Sequence, residues 1–405
     1  MDKARMASVE LALLWQSRYA RHTDQLYFER VSLWRDMFPG DLAARLARAD
    51  PGQIVSCPTP IGALVEPYDR SLVRMLRRNQ FRPPRPELAG LLPLAGRFYP
   101  RHFVHDVHDF FPEDRRPLRC LITTTDHMAA DFNHPFAGFN AVVEGRIIQD
   151  LEAKEERGGH CNDVPVEITA DGPGMQAALA DRDTDFFAGD PFARIDPRPD
   201  PDFYQQPRLV QHLDDVALAG VRQIYGEYIR PDMRVLDLMS SWVSHLPESR
   251  DHTEVTGLGL NREELERNPD LSERVVHDLN ASPQLPFEVA TFDAAICTVS
   301  VEYLTRPLEV FREVARVLRP GGTFIVTFSD RWFPPKVISL WTELHPFERV
   351  GLVIDYFRLS GGFVDIASLS RRGWPRPAAD THAAQRVKSD PVFAVSGVRR
   401  SDSPV

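Results

Sequence analysis

The chain has 405 residues, 43% of them hydrophobic, which is more than one hydrophobic core usually serves, so two or three folded domains are expected. Its net charge of −10 argues against a protein that tracks nucleic-acid phosphates, while leaving room for a local basic patch. Cys57, Cys120, Cys161 and Cys297 lie far apart with no C-x-x-C pair, which points to reduced thiols and away from a zinc cluster. The N-terminus lacks a charged-then-apolar signal pattern, and no apolar run approaches the roughly 18 residues of a membrane span. A soluble cytoplasmic protein is the expectation, with its oligomeric state left open.

Residues 7–20 (ASVELALLWQSRYA) and 24–38 read as helices, the second with Tyr27, Val31, Trp34 and Phe38 as an apolar stripe. Pro39-Gly40 ends it, and Asp41 caps a short third helix to Ala49. Residues 1–50 are therefore expected to be a helical segment packed on another domain. Residues 51–150 read as a β-rich domain. Within it LRCLITTT from 118 and AVVEGRII from 141 form strands around the turn-forming NHPFAG.

His102, His105 and His108 stand close together in RHFVHDVHDFF, and histidine is a common metal ligand. Their i, i+3, i+6 spacing fits neither one face of a strand nor an i, i+4 helical pair. His160, Cys161 and Asp163 lack a spaced second pair. No metal site is expected. Residues 151–204 are acid-rich and proline-rich, which reads as a linker or a wrapping segment.

Asp131–Gly138 (DFNHPFAG) and the strand after it resemble the C-terminal half of SlyD-type FKBP prolyl isomerases. The resemblance implies a loop and strand beside a proline pocket, with Val143 where that family places an aromatic wall. The other reading is a β-domain kept for docking.

From residue 207 the pattern changes. Residues 207–229 are helical in spacing. RVLDL at 234–238 is a short buried strand interrupted by Asp237. A second strand follows at 254–260, then a helix at 263–267 capped by Asn261. A third strand at 274–277 ends at Asp278, and a fourth at 294–299 is entered through Phe292-Asp293. Residues 308–318 form an amphipathic helix with Val310, Phe311, Val314 and Val317 apolar, stopped by Arg319-Pro320-Gly321-Gly322. Residues 323–328 are a fifth strand, 346–358 a helix, and 361–371 and 391–399 two more strands. Such alternation implies parallel strands with helices on both faces. A ligand then belongs at the loop after the first strand, where helix N-termini and free backbone N–H groups meet it.

VLDL at 235–238, LPF at 285–287, FDAAICTVSVEYL at 292–304 and EVARVLRPGGTFIVTFS at 313–329 together resemble class I S-adenosylmethionine (SAM)-dependent methyltransferases, over about residues 205–400. More narrowly the chain resembles the type 11-like group, with DLMSSWVSHLP in place of the usual glycine-rich loop. The resemblance implies an α/β fold: a Rossmann-like, doubly wound, seven-stranded sheet, beside the helical N-terminal segment and the smaller FKBP-like domain.

It also implies SAM as cofactor and a set of site residues. Asp237 would lie beneath the cofactor loop formed by Met239, Ser240 and Ser241. Gly259 stands where the family usually has an acid for the ribose hydroxyls, and Asn261 either reaches the ribose or simply caps a helix. Asp278 would meet the adenine amino group, with Leu279 flanking the ring. Thr298 and Val299 would border the cofactor. Glu302 would face the acceptor as a general base, or merely favour a helix start. The methyl acceptor is unidentified, a small molecule or a protein. A catalytically inactive binding protein on the same fold and a prolyl-peptide-binding chaperone remain the alternatives.

Overall fold

The computed structural model describes residues 5–84, 90–107, 111, 113–152 and 161–401. These fall in two compact units: Met1–Tyr19 with Arg30–Pro191 and Glu343–Leu352, and Ala20–Glu29 with Phe192–Thr342 and Val353–Val405. The segment 151–204, expected as a linker or a wrapping segment, is divided between the units at Pro191/Phe192.

The first unit contains β1 (Met6–Gln16), the end of β2 (Arg21–Ser32), α1 (Leu42–Arg48), β3 (Ile54–Thr59), β4 (Val73–Arg77), β5 (Phe98–Pro100), β6 (Pro117–Thr123), β7 (His127–Asp131), β8 (Ala141–Leu151) and α2 (Val164–Thr169). The expected N-terminal helices are strands. Ala7, Val9, Leu11 and Leu13 are enclosed in β1, and Ser8 and Glu10 on the alternate positions are buried as well. A strand covered on both faces shows no clean alternation, so its dense apolar run passes for a helix. Antiparallel pairing with β8, and of β8 with β3, decides the matter. The helix expected after Asp41 is present as α1.

A separate antiparallel sheet runs β4-β7-β6-β5 over its own core of Leu76, Phe81, Tyr99, Phe103, Leu118 and Met128. The DFNHPFAG segment is committed to structure. Asn133 donates to the Asp69 carbonyl at 2.9 Å and accepts the Asp69 N–H at 2.8 Å, and Phe136 packs edge-on against Trp15. Val143 is enclosed in β8, so it walls no open pocket. His102 Nδ1 contacts the Asp114 carbonyl at 3.3 Å, and His105 Nε2 contacts that of Arg82 at 3.1 Å. His108 and His160 lie outside the described residues.

The second unit contains α3 (Asp200–Phe203), α4 (Asp215–Tyr228), β9 (Arg234–Leu238), β10 (Glu254–Gly259), α5 (Arg262–Arg267), β11 (Glu273–Val276), β12 (Phe292–Thr298), α6 (Pro307–Val317), β13 (Leu318–Phe328), α7 (Ser339–Glu343), most of α8 (Pro346–Ser360), β14 (Phe363–Arg372) and β15 (Val392–Arg399). Its strands run β11-β10-β9-β12-β13-β15-β14-β2. The first five are parallel, and β15 is antiparallel to both neighbours. Arg21–Leu26 of β2 pairs with Ala367–Arg372 of β14, so the α/β sheet is mixed and larger than the seven strands expected.

Val235, Val255, Ala294, Ile296 and Ile325 of the strands pack with Leu218, Val221, Ile224 and Tyr225 of α4 into one core. Two expectations shift. Residues 207–214 are not helical, because Asp214 caps α4 by accepting the N–H groups of Val216 and Ala217. Arg319–Gly322 is a bulge of β13, exposed at Arg319–Gly321 and buried at Gly322, across which the register jumps from Phe292↔Leu318 to Ala294↔Thr323. Among the described residues no helix is long and apolar enough to cross a membrane, and no group of three or more metal-ligating side chains occurs.

Candidate functional site

The parallel strands β9, β10, β11 and β12 all end at one cavity in the second unit, the place an open α/β sheet offers a ligand. Its floor begins at Asp237, which is fully buried on β9. Asp237 Oδ2 accepts hydrogen bonds from Ser240 Oγ at 2.6 Å and Ser244 Oγ at 2.7 Å. Burial pushes the carboxyl up to about 7 against the pull of those two hydroxyls. The loop is therefore wound round a carboxyl group instead of being shaped by glycines. Asn268 Nδ2 holds it from outside, donating to the Ser241 carbonyl at 2.9 Å and to Ser244 Oγ at 3.0 Å. Met239 makes the turn at φ +57.

Gly259 explains how a serine loop comes close to the sheet. A Cβ there would stand 2.2 Å from the Ser240 carbonyl oxygen, and Ser240 N–H donates to the Leu258 carbonyl at 2.8 Å. The loop backbone lies directly on the end of β10, and no acidic side chain fits at that position. The carboxylate in this wall comes instead from Glu264 on α5. Its Oε2 accepts Ser241 Oγ–H at 2.6 Å and its Oε1 accepts the Arg208 N–H at 2.7 Å.

Asn261 is spent on structure. Its Oδ1 accepts the Glu264 N–H as the cap of α5, and its Nδ2 donates to the carbonyls of Tyr204 and Gln205. Of the two readings the sequence left open, the cap is the one present.

After β11, Asp278 Oδ1 accepts the N–H groups of Asn280 and Ala281, and Leu279 follows it in the cavity wall. Asn280 Nδ2 donates to Asp200 Oδ2 at 2.7 Å and to the Tyr303 carbonyl at 2.9 Å. Asp200 is itself paired with Arg194 at 2.7 Å and Lys336 at 3.2 Å, which fixes the 194–204 segment. At the end of β12 the Thr298 hydroxyl meets Tyr225 OH at 2.6 Å, and Tyr225 meets Thr327 at 2.9 Å. Val299 has φ +46, an unfavourable value for a β-branched residue.

Of the residues singled out in the sequence, Asp237, Met239, Ser240, Ser241, Gly259, Asn261, Asp278, Leu279, Thr298 and Val299 all line this cavity. Glu302 does not. It lies in the turn Val301–Tyr303, is 1% exposed, and is enclosed in the interior instead of facing an acceptor. Sequence reasoning missed Tyr204, Arg208, His212 and Glu264, which complete the wall with Trp242, Tyr303 and Phe333. Tyr204 lies in the stretch read as a linker or wrapping segment, and Arg208 and His212 in a stretch read as helical, so neither pattern signalled a cavity wall.

The wall suits a large polar ligand with a planar part. Arg208 Nη1 and His245 Nδ1 are buried at the cavity with no hydrogen-bond partner among the described residues. Burial, aided by Arg222, lowers His245 to about 4, so its imidazole is neutral. Carboxyl groups stand at Asp237, Glu264 and Asp278, with Leu279, Trp242 and Phe333 as apolar surfaces.

Residues 240–326 match the family model described as a methyltransferase domain. A 27-O-demethylrifamycin SV methyltransferase from Amycolatopsis mediterranei is 34% identical over 24% of this chain and 37% of its own length. A ubiquinone/menaquinone biosynthesis C-methyltransferase from a Ruegeria species is 29% identical over 35% of this chain and 64% of its own. The chain thus spans less than two thirds of either relative. Among solved structures, a SAM-dependent methyltransferase from Aquifex aeolicus is 18% identical, with 50% of this chain and 100% of that one covered and a TM-score of 0.31. Residues 240–326 carry a methyltransferase domain, whose cofactor is S-adenosylmethionine.

Proposed function

We propose that the whole chain is a SAM-dependent methyltransferase that acts on a small-molecule acceptor. The observation that carries this reading is the convergence of Asp237, the 239–244 loop, Gly259, Glu264, Asp278 and Thr298 on one cavity at the strand ends of the matched domain. SAM, when bound, supplies a sulfonium-activated methyl group. The chain's part is to hold and orient both reactants, which can account for much of the rate of an in-line displacement.

In this reading Asp237 and the serine loop take the amino-acid end, Glu264 offers the diol the carboxylate that Gly259 lacks, and Asp278 with Leu279 takes the purine. The acceptor would lie beyond Thr298 and Ser300, against Tyr303, Phe333 and His212. Burial first, then the nearby Arg208 and Arg331, lower His212 below its ordinary value despite Glu264, so a neutral imidazole is available at pH 7 to take a proton from an acceptor. It stands at 4.9 Å between ring centroids from Phe333. A small-molecule acceptor follows from the apolar, planar character of that end and from the relatives, whose names refer to a rifamycin and to ubiquinone/menaquinone biosynthesis.

Calorimetric titration of the full chain with SAM and with S-adenosylhomocysteine tests the reading. Micromolar binding that Asp278→Ala weakens at least tenfold supports it. A folded protein that binds neither ligand returns the fold to a scaffold role.

A further inference from the structure

Arg208 is a half-buried cation with no ion-pair partner among the described residues. Its guanidinium carbon lies 4.3 Å from the ring centroid of Phe203, 4.6 Å from that of Phe333 and 5.4 Å from that of Tyr204. Nη2 makes a long contact of 3.5 Å to the Phe203 carbonyl, and Nη1 is buried with no partner among the described residues. Glu264 takes the backbone N–H of Arg208 and not its guanidinium. No ion pair joins Arg208 to an acid among the described residues. Other cations in the same unit are treated differently: Arg194 and Lys336 both pair with Asp200, and Arg250 pairs with Asp270. Burying one guanidinium nitrogen without a partner is costly, and the cost is recovered when an anion accepts from it.

The rings and the backbone bond to Glu264 hold the guanidinium plane in the cavity wall, so little side-chain freedom remains to be lost on binding. A planar fork of N–H donors held in place fits a carboxylate, which it can grip through two parallel hydrogen bonds. We infer that Arg208 is a carboxylate-binding residue of the cavity, the counter-ion for an acid group that a ligand brings in. The inference rests on the methyltransferase reading. Two ligands can supply that chemistry: the amino-acid end of the cofactor, or an acidic acceptor.

The test is calorimetry on the full chain, wild type against Arg208→Gln and Arg208→Lys, with melting temperatures measured alongside. S-Adenosylhomocysteine carries the carboxylate, whereas 5′-methylthioadenosine keeps the adenosine and sulfur without it. A third titration adds salicylate, an aryl carboxylate, to protein saturated with S-adenosylhomocysteine. If the cofactor is the source, Arg208→Gln weakens S-adenosylhomocysteine ~tenfold or more and 5′-methylthioadenosine less than about twofold, and Arg208→Lys retains part of the difference. If the acceptor is the source, both nucleosides bind as before and wild-type binding of salicylate is lost in Arg208→Gln. Equal weakening of both nucleosides means that Arg208 only props the wall, and overturns the inference. So does a variant that changes none of the three titrations. Wild-type protein that binds neither nucleoside overturns the methyltransferase reading itself, a result separate from any effect of the substitution.

Discussion

The carbonyl oxygen of Ser240 lies 2.2 Å from where a Cβ atom on Gly259 would stand. One glycine at the end of β10 therefore permits the close approach of a loop that has no glycine of its own. Gly259→Ala forces the loop off the sheet, since the obstacle is backbone and cannot rotate away. We expect a loss of ~2 kcal/mol or more in stability, in the range of core overpacking, and loss of S-adenosylhomocysteine binding. Denaturant melts and calorimetry check both. A variant that melts and binds like the wild type contradicts the loop geometry.

Met239, one residue before Ser240, tests the opposite substitution. It sits at φ +57, where an L side chain is disfavoured and glycine is not. Met239→Gly should be neutral to stabilising, by up to ~1 kcal/mol. A clear destabilisation would mean that the side chain, which faces the cavity, contributes more than the backbone costs.

Asp237 gives stability a pH signature. Its pKa is higher in the folded chain, about 7, than the ordinary carboxyl value of 3.8. The folded state thus holds the proton more tightly. The stabilisation is complete below pH 4 and is lost as pH rises to about 7, at up to about 1.4 kcal/mol per pH unit. Asp237→Asn still offers an oxygen to Ser240 and Ser244 but has no proton to lose. Between pH 5 and 7.5 the wild type should lose stability relative to this variant. Parallel curves of urea midpoint against pH would refute the assignment.

In the first unit Arg97 is fully buried and its Nε stands 3.4 Å from the buried Glu348. Glu348 also accepts the Phe98 N–H at 2.7 Å, and burial raises its pKa while Arg97 opposes the rise. Glu348→Ala leaves the guanidinium uncompensated and should cost ~3–5 kcal/mol. Arg97→Met added to it should recover much of the loss. A double variant no more stable than the single one would show that the pair is not the source.

The second unit was legible where short-range pattern decides the structure. Buried five- to seven-residue runs at Arg234–Leu238 and Phe292–Thr298, with an amphipathic Pro307–Val317 after them, read correctly as strands and a helix because each carries its own period. β1 was misread because both of its faces are covered, which erases alternation and leaves only a density of Ala and Leu. Asp237 and Asp278 were visible as acids ending apolar runs. Arg208 and Glu264 were not, because what makes them part of the site is a bond between residues 56 positions apart. Glu302 misled for the converse reason: an acid after a strand end looks exposed until the turn that follows folds it inward.

In the proposed reading the cavity at the ends of β9, β10, β11 and β12 is the cofactor site. Hydrogen–deuterium exchange of the full chain with and without saturating S-adenosylhomocysteine locates the bound ligand. The expected result is protection concentrated in 239–244, 258–264, 277–280, 298–300 and the overlying 203–213. Protection confined to other segments, or none at a saturating concentration, would contradict it.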